Sequence, residues 1–374
     1  MKPLKNPFLV FGYHSPAYFC DRQEETIKII DALHNNRNLT IIAPRRIGKT
    51  GLIHHAFHQI LNKEIGVAIY MDIFPTSNLN DFTKVFAESV LKSLDSDTQK
   101  TIKKIGSIIK GFRPVIRFDP VTGNPEFTVD IQPGNEDKTL KDIFNYLASS
   151  DKQCIIAIDE FQQITEYPEK RVEALLRSYI QFAPNVRFIF SGSKQKIMQE
   201  MFMSAKRPFY QSTQLLNIDV INKEEYFSFA QAYFDDINLI FKEDIFGELY
   251  DFFDGYTWYI QVVLNRLYGY RENVTSYEQI LYTVDKLISE SEFAFQNLLV
   301  AYSANEVRLL KAIAKEGVVI EINGGDFISK YSLKAASSVN TSLAKLLRNE
   351  MVYRSEKGYI VYDRLLSLWL SRQF

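Results

Sequence analysis

Along the first half of the chain, short and largely apolar runs alternate with stretches whose apolar residues recur at helical spacing. The apolar runs predict buried strands at Leu39–Ala43, Gly66–Ile73, Cys154–Ile158 and Val186–Ser191. The helical stretches predict helices at Asp21–Leu33, Thr50–Leu61, Asp81–Leu94 and Val172–Phe182. Asp21 stands where an N-cap of the first helix is expected. Apolar strands separated by helices are typical of a parallel sheet that is covered on both faces, so we predict an α/β fold.

One segment breaks this alternation. Residues Phe112–Ile131 alternate at period two around the turn sequence Gly123-Asn124-Pro125. This pattern predicts a β-hairpin that is inserted between helices.

The second half has a different pattern. Beyond about Asn217 the strand signals stop, and helices are predicted at Asn222–Phe234, Phe241–Phe253, Trp258–Tyr268 and Ser276–Phe293. Helices are then predicted at Ala304–Lys315, Asp326–Leu333, Ala335–Asn349 and Asp363–Phe374. Between the last two, Met351–Asp363 reads as a hairpin that turns at Glu356-Lys357-Gly358. Helices followed by a β-hairpin are typical of a winged helix-turn-helix, so we predict a core at 1–217 (hairpin about 112–131), a helical lid at 218–300 and a winged helix at 301–374.

Composition narrows the class of protein only slightly. The 374 residues are 46% hydrophobic and 24% charged, which is ordinary for a chain of two or three globular domains. A net charge of −1 provides no overall field that would attract nucleic acid, although a local basic patch is still compatible with it. Cys20 and Cys154 are far apart and form no metal or redox motif, which favours a reducing, cytoplasmic setting. No apolar run approaches the roughly 20 residues that a membrane helix needs, so we expect no membrane partner.

The junction between the first predicted strand and the next helix carries the strongest chemical signal. Ala43-Pro44-Arg45-Arg46-Ile47-Gly48-Lys49-Thr50 fits the P-loop pattern, with alanine in place of the first glycine. Backbone N–H groups in such a turn cradle phosphate oxygens, and the positive end of the following helix adds to the attraction. Lys49 is expected to reach the β- and γ-phosphates, and the Thr50 hydroxyl to ligate Mg²⁺. The predicted nucleotide-binding residues are Pro44, Arg45, Arg46, Ile47, Gly48, Lys49, Thr50 and Gly51. The alternative is a turn at a helix N-terminus without a ligand, with both arginines at the surface.

Two later strand ends supply partners for this loop. Asp159 and Glu160 follow the apolar strand Cys154–Ile158, at the edge where parallel sheets bind their ligands. We expect Asp159 to bind Mg²⁺ directly or through water, and Glu160 to orient and deprotonate the attacking water. Ser191 and Ser193 end the next strand and are candidates for contact with the γ-phosphate or that water; simple turn chemistry explains them equally well.

Taken in order, FCDRQEE, APRRIGKT, AIDEF, IFSGS and a C-terminal winged helix resemble the archaeal-type ATPase family of the AAA+/STAND P-loop NTPases, which also occurs in bacteria. The resemblance covers almost the whole chain. It implies a five-stranded parallel core, an all-α lid and a winged helix, with ATP or ADP as nucleotide. It also implies that Tyr18, Phe19 and Arg22 flank the adenine, while packing of Phe19 under the first helix is the alternative.

The chain departs from the family's pattern at two places. The lid of relatives often carries Gly-x-Pro near the nucleotide, whereas this chain reads Gly255-Tyr256-Thr257. Ser212 stands where relatives often have an arginine, and Arg207 and Arg177 are candidate substitutes. Because an arginine finger can contribute about 10³-fold or more to the rate, the departure concerns fast hydrolysis more than binding.

The tail adds a candidate surface for a partner. Basic residues fall on the predicted recognition helix and wing, namely Lys330, Lys334, Lys345, Arg348, Arg354 and Lys357. A winged helix can place such residues on DNA, but it also serves as a protein-docking module.

We therefore predict an ATP-binding protein that hydrolyses ATP with Mg²⁺ and couples hydrolysis to movement of the lid and winged helix. The alternative is a slow nucleotide-gated switch or DNA-binding regulator with little turnover. A weaker alternative is a structural adaptor with a vestigial P-loop.

Overall fold

The computed structural model describes residues 4–63, 65–94, 112–118, 125–355 and 357–373. The chain divides into two compact units. The first comprises Met1–Phe229 and Gly255–Gln261, and the second comprises Ala230–Asp254 and Val262–Phe374. Among the described residues, no helix combines the length and the apolar character that crossing a bilayer requires.

The first unit is built on a five-stranded parallel sheet with the strand order β2-β5-β6-β1-β7. The strands of this unit are β1 (Leu39–Ile42), β2 (Val67–Asp72), β3 (Phe112–Phe118), β4 (Pro125–Ile131), β5 (Cys154–Asp159), β6 (Val186–Gly192) and β7 (Gln214–Asn217). The parallel sheet confirms the predicted α/β core and its four apolar strands. The pattern had not indicated β7, which is only four residues long and has polar residues at both ends.

The sheet carries an apolar layer on each face, as a parallel sheet requires. Every residue of β5 is buried, and its alternate side chains belong to different layers: Ile156 and Ile158 to one, Ile155 and Ala157 to the other. Continuous apolar strands are therefore stable here because both faces are removed from water.

Helices cover both layers. They are α1 (Gln23–His34), α2 (Lys49–Asn62), α3 (Leu79–Leu94), α4 (Glu136–Ala148), α5 (Val172–Ile180) and α6 (Gln195–Met203). Short 3₁₀ helices occupy Pro16–Tyr18 and Phe161–Glu166. The apolar stripe of α2 packs in one layer, and those of α3 and α4 pack in the other. Neither α4 nor α6 was among the predicted helices.

The predicted N-cap at Asp21 is wrong. Asp21 and Arg22 both have left-handed backbones, with φ of 55° and 69°, and Arg22 is the residue that precedes the helix. The first helical hydrogen bond runs from the Thr26 N–H to the Arg22 carbonyl. Asp21 instead lies beside Glu225, and a hydrogen bond from one carboxyl to the other raises the pKa of Glu225. The double left-handed turn thus carries the Asp21 carboxyl away from the helix.

The inserted hairpin is present as predicted. β3 and β4 pair antiparallel, from Phe112 opposite Ile131 to Phe118 opposite Pro125. The predicted turn residues Gly123 and Asn124 lie outside the described residues.

Beyond β7, the described residues form helices, one small hairpin and two isolated β-bridges. The remaining helices are α7 (Lys223–Asp235), α8 (Glu243–Phe252), α9 (Thr257–Tyr270), α10 (Tyr277–Leu299), α11 (Ala304–Glu316), α12 (Gly325–Lys330), α13 (Ala336–Arg348) and α14 (Arg364–Ser371). α10 extends six residues past its predicted end. The apolar pattern breaks at the exposed Phe293, but no helix-stop residue follows it, so the helix continues. Ser303 and Glu306 form a capping box at the start of α11, which fixes where the winged helix begins its first helix.

The winged helix has the predicted order of three helices, a hairpin and a final helix. β8 (Val352–Ser355) and β9 (Gly358–Val361) pair antiparallel, and Val319 forms an isolated bridge with Tyr359 of β9. Asp363 caps α14 by accepting hydrogen bonds from two backbone N–H groups. The chain thus has a P-loop NTPase fold and a C-terminal winged helix.

Candidate functional site

The loop between β1 and α2 has the backbone shape that a phosphate site needs. Arg46 and Gly48 are left-handed, with φ of 67° and 98°. At 98° a side chain would be strained, so Gly48 is required for its backbone conformation. The Gly48 carbonyl accepts the first helical hydrogen bond, from Leu52. The loop therefore leads directly into a helix N-terminus, which attracts anions.

Sheet order brings the two sequence motifs together. β6 lies between β1 and β5, so the ends of β1 and β5 lie at the same edge, one strand apart. The Thr50 hydroxyl donates a 2.7 Å hydrogen bond to Asp159 Oδ2. Lys49 Nζ lies 3.9 Å from Glu160 Oε1, and the lysine side chain is 7% exposed. The predicted catalytic and metal-binding residues thus form one cluster.

Asp159 is held from several directions. Its Oδ2 also accepts a 3.0 Å hydrogen bond from the Tyr70 hydroxyl, and its Oδ1 accepts one from the Glu160 N–H. Burial, followed by the charge of Asp159, raises the pKa of Tyr70, so the hydroxyl keeps its proton and can donate. The Tyr70 ring packs against His54 at 4.5 Å. Tyr70 was not among the predicted site residues; the signal for it in the sequence is a tyrosine hydroxyl within an otherwise apolar strand.

Glu160 is held by its neighbours as well. Its Oε2 accepts hydrogen bonds from Gln162 Nε2 at 2.5 Å and from the Ser193 hydroxyl at 2.7 Å. Ser193 Oγ also accepts a 3.1 Å hydrogen bond from Arg45 Nε, which connects the β6 end to the loop. Ser191 is buried, and within the described residues its hydroxyl has no hydrogen-bond partner.

A cavity of about 360 Å³ opens beside the loop. Many of the site residues predicted from the sequence line this cavity. They are Tyr18, Phe19, Arg22, Arg45, Arg46, Ile47, Gly48, Lys49, Thr50, Gly51 and Glu160. Pro44, Asp159, Ser191 and Ser193 are not part of its lining. The N-terminal segment Leu9–Tyr13 supplies an apolar wall that the sequence analysis did not anticipate, although its apolar run LVFGY was visible. Cys20, Ile221, Thr257, Trp258 and Gln261 complete the lining.

The residues expected to flank a base lie around the loop. Arg22 is buried, pairs with Glu25 at 2.8 Å and donates a 3.2 Å hydrogen bond to the Ile47 carbonyl. The Phe19 ring stacks on His55 at 4.4 Å. A side chain at Gly51 would lie 3.3 Å from the Phe19 ring, so the small residue lets the ring approach α2 closely.

A second contact to the loop comes from the start of α9, within the first unit. The Arg46 guanidinium lies over the rings of Trp258 and Tyr259, at 4.5 and 4.9 Å, and it donates to the Tyr259 hydroxyl. The Arg46 carbonyl accepts from the Trp258 N–H at 3.0 Å, and the Ile47 carbonyl accepts from the Thr257 hydroxyl at 3.2 Å. Thr257 therefore contacts the loop at the position where the resemblance leads one to expect a proline.

The candidate arginine fingers lie elsewhere. Arg207 forms ion pairs with Glu173 and, at 3.5 Å, with Glu200, while Arg177 bonds to Gln181 at 3.3 Å. Neither arginine lines the cavity.

Two of the basic residues of the winged helix are neutralised by neighbours. Lys330 pairs with Glu316 at 2.6 Å, and Lys345 pairs with Glu306 at 2.9 Å. The exposed basic residues of this region include Lys334, Arg348 and Lys357.

Comparisons with solved structures show the same fold. The Walker-type ATPase PABY2304 of Pyrococcus abyssi is 18% identical, with a TM-score of 0.63, over 97% of this chain and 99% of that one. The Aeropyrum pernix ORC2 protein, solved in ADPNP-ADP complexes, is 15% identical, with a TM-score of 0.58, over 99% and 98%. The Aeropyrum pernix ORC1 protein, solved in complex with DNA, is 11% identical, with a TM-score of 0.57, over 99% and 96%.

Comparisons of sequence identify the family. No curated protein matches the chain significantly. A family model described as a probable winged helix domain matches residues 293–372. A model described as an ATPase domain predominantly from Archaea matches residues 19–263, well over half of the chain. The chain therefore belongs to this predominantly archaeal ATPase-domain family and carries a C-terminal winged helix.

Proposed function

We propose that this protein binds ATP in the cavity beside the 43–48 loop and hydrolyses it with Mg²⁺. The observation that carries the proposal is the 2.7 Å hydrogen bond between the Thr50 hydroxyl and the Asp159 carboxylate, next to the 3.9 Å approach of Lys49 and Glu160. Membership of an ATPase-domain family supports the same chemistry.

The donor set fits a magnesium ion. Mg²⁺ prefers oxygen ligands and is usually held by one or two protein groups together with substrate phosphates. The Thr50 hydroxyl and the Asp159 carboxylate are oxygen donors that already lie side by side. Bound there, Mg²⁺ would neutralise charge that develops on the phosphate oxygens.

The chain's own residues carry the remaining steps. The loop N–H groups and Lys49 bind the β- and γ-phosphates and compensate their negative charge. Glu160 takes a proton from the attacking water, whose oxygen bonds to the γ-phosphorus while the bond to the β–γ bridging oxygen breaks. The products are ADP and inorganic phosphate. Ser193 orients Glu160 and, through Arg45, ties it to the loop.

We assign the base to the apolar side of the cavity. Leu9–Tyr13, Tyr18 and Phe19 provide apolar and aromatic surface against which a purine can pack. Selection of adenine over guanine rests on the family.

Phosphate release tests the proposal. The wild-type protein is expected to release phosphate from Mg-ATP, and both Lys49→Ala and Glu160→Gln are expected to abolish that release. If the wild-type protein binds neither ATP nor ADP in calorimetry with Mg²⁺ present, the site is vestigial and the proposal fails.

A second function, a slow nucleotide-gated switch, is supported by the contact between the loop and the start of α9. Thr257 and Trp258 hydrogen-bond to the backbone of Ile47 and Arg46, so a nucleotide that displaces Arg46 would disturb the start of a helix that continues to Tyr270. We propose that nucleotide state moves the helical region near 218–300 and the winged helix beyond it through this helix. Tight retention of nucleotide with negligible phosphate release would favour the switch over the ATPase.

The winged helix is a candidate partner surface within this proposal. The ORC1 relative was solved in complex with DNA, and Arg348 on α13 is exposed. Lys330 and Lys345 are held in ion pairs, while Lys334, Arg348 and Lys357 are exposed and could contact a DNA backbone; a protein partner is the alternative. Binding of a labelled duplex that weakens with salt and with Arg348→Ala would favour DNA.

A further inference from the structure

The two oxygens of the Glu160 carboxylate have different surroundings. Oε2 accepts two hydrogen bonds, from Gln162 Nε2 at 2.5 Å and from the Ser193 hydroxyl at 2.7 Å. Oε1 faces Lys49 Nζ at 3.9 Å, and Glu160 lines the cavity whereas Gln162 and Ser193 do not. One oxygen is thus engaged by the protein interior, and the other is directed towards the phosphate loop.

Within the described residues, the side chain of Gln162 has one hydrogen bond, to Glu160. It is 2% exposed and lies in the 3₁₀ turn two residues after Glu160. Only its NH₂ group can donate to a carboxylate, so the contact with Glu160 fixes which way the amide points. Its Oε1 has no hydrogen-bond partner within the described residues. A buried amide that leaves its own oxygen unpaired is costly, and this indicates that the contact with Glu160 is retained for a reason other than stability.

The fold reserves space for this amide at the end of β6. A side chain at Gly192 would overlap Gln162 Oε1 and would approach Met198 Sδ to 2.6 Å. Gly192 has no left-handed backbone, so it is the close approach of Gln162 and Met198 that requires a glycine there. Gly192 thereby keeps Gln162 next to Glu160.

We infer that Gln162 is a positioning residue for ATP hydrolysis: with Ser193 it holds Oε2 of Glu160, so that Oε1 is the oxygen that takes the proton from water. The inference rests on the proposed ATPase function and assigns a role to the glutamine buried behind the site. Gln162 itself does not line the cavity. Its loss should therefore lower kcat and leave nucleotide binding intact.

The test compares two neighbouring glutamines. Gln162→Met keeps the length of the side chain and removes the donor. Gln163→Met is the matched control, because Gln163 lies in the same turn but donates to the Thr76 carbonyl at 3.0 Å. We expect Q162M to lower kcat by roughly 10- to 100-fold, since small misplacement of a reacting group has effects of that size. The Kd for ADP should stay within about twofold in both variants, and kcat should do so in Q163M.

Glu160→Gln separates this inference from the proposed function. If the wild type releases no phosphate, or if E160Q hydrolyses normally, the proposed ATPase mechanism fails. If E160Q is inactive and Q162M retains about half or more of wild-type kcat, only the role of Gln162 is overturned. Should Q162M fail to fold, Ser193→Ala removes the other donor to the same oxygen and should show the same split between kcat and Kd.

Discussion

Substitution of Gly192 by alanine places a methyl group in the space that the Gln162 amide occupies. The added carbon would lie 2.6 Å from Met198 Sδ and closer still to Gln162 Oε1. Ordinary contact between a carbon and such atoms is roughly 3.5–4 Å, so at least one side chain must move by about 1 Å. Met198 is fully buried on α6, and Gln162 is held in its turn, so neither can move without disturbing packing around Glu160.

The cost has two parts. Overpacking of a filled interior typically costs about 1–3 kcal/mol. Displacement of Gln162 also breaks its hydrogen bond to the Glu160 carboxylate, and bonds to charged groups contribute about 1.5–3 kcal/mol. Taken together, the two parts should lower the free energy of unfolding of the first unit by about 2.5–6 kcal/mol in Gly192→Ala and reduce kcat in the same direction as Gln162→Met.

Tryptophan fluorescence during urea unfolding measures this change. Trp258 belongs to the first unit and Trp369 to the second, so a Trp369→Phe background leaves a probe of the first unit alone. Gly247→Ala is the control: Gly247 lies inside α8 with nothing within 4 Å of an added carbon, and alanine there should stabilise the second unit by about 0.5–1 kcal/mol, read from Trp369 in a Trp258→Phe background. Wild-type stability together with wild-type phosphate release in Gly192→Ala would refute the argument that Gly192 reserves space for Gln162.

Three further outcomes are expected. Tyr70→Phe removes a donor to Asp159 and should raise the Mg²⁺ concentration for half-maximal hydrolysis by about 10-fold, the lower end for loss of such outer-shell bonds; an unchanged magnesium titration would contradict the role of the tyrosine. Chelation with EDTA should stop phosphate release and leave ADP detectable by calorimetry, whereas metal-independent turnover would exclude the magnesium assignment. Burial, then the charge of His58, lowers the pKa of His55 below the ordinary 6.5, so near pH 6 His55 binds more protons in the unfolded chain than in the folded one. His55 should therefore make the free energy of unfolding fall as pH drops through 6.5, and His55→Phe should remove that part of the slope; equal slopes in both proteins would contradict the assignment.

The features that the sequence predicts best are those determined by residues adjacent along the chain. The β1 strand, the 43–48 loop and the α2 helix follow from local patterns: an apolar run, a glycine where the backbone is left-handed, and a helical stripe. The close approach of this loop to Asp159 could be anticipated because parallel strands end at one edge of a sheet.

The features that were not predicted depend on which strands and segments become neighbours. Tyr70 reaches Asp159 because β2 pairs with β5, and nothing in the sequence of β2 specifies that pairing. The wall formed by Leu9–Tyr13 depends on how the N-terminal segment returns over α2; Tyr13, for example, bonds to His55 at 3.1 Å. Gln162 was overlooked because its role depends on a tight turn and on the space left by Gly192.

Local rules also failed where the backbone took an unusual conformation. The N-cap rule placed Asp21 at the start of α1, but two successive left-handed residues turned it away. α4, in contrast, shows regular helical spacing of Leu140, Ile143 and Leu147, so its sequence pattern is sufficient to predict a helix there.

The central claim is that the loop with Lys49 binds ATP and that Glu160 catalyses its hydrolysis. Identification of the nucleotide that stays bound after a single turnover tests this claim most directly. Each protein is mixed with a limiting amount of Mg-ATP, separated from free nucleotide, and its bound nucleotide is identified by anion-exchange chromatography. The wild type should carry ADP, Glu160→Gln should carry intact ATP, and Lys49→Ala should carry almost none. If Lys49→Ala retains as much nucleotide as the wild type, or if Glu160→Gln converts ATP to ADP equally well, the phosphate site and the catalytic role assigned to these residues are contradicted.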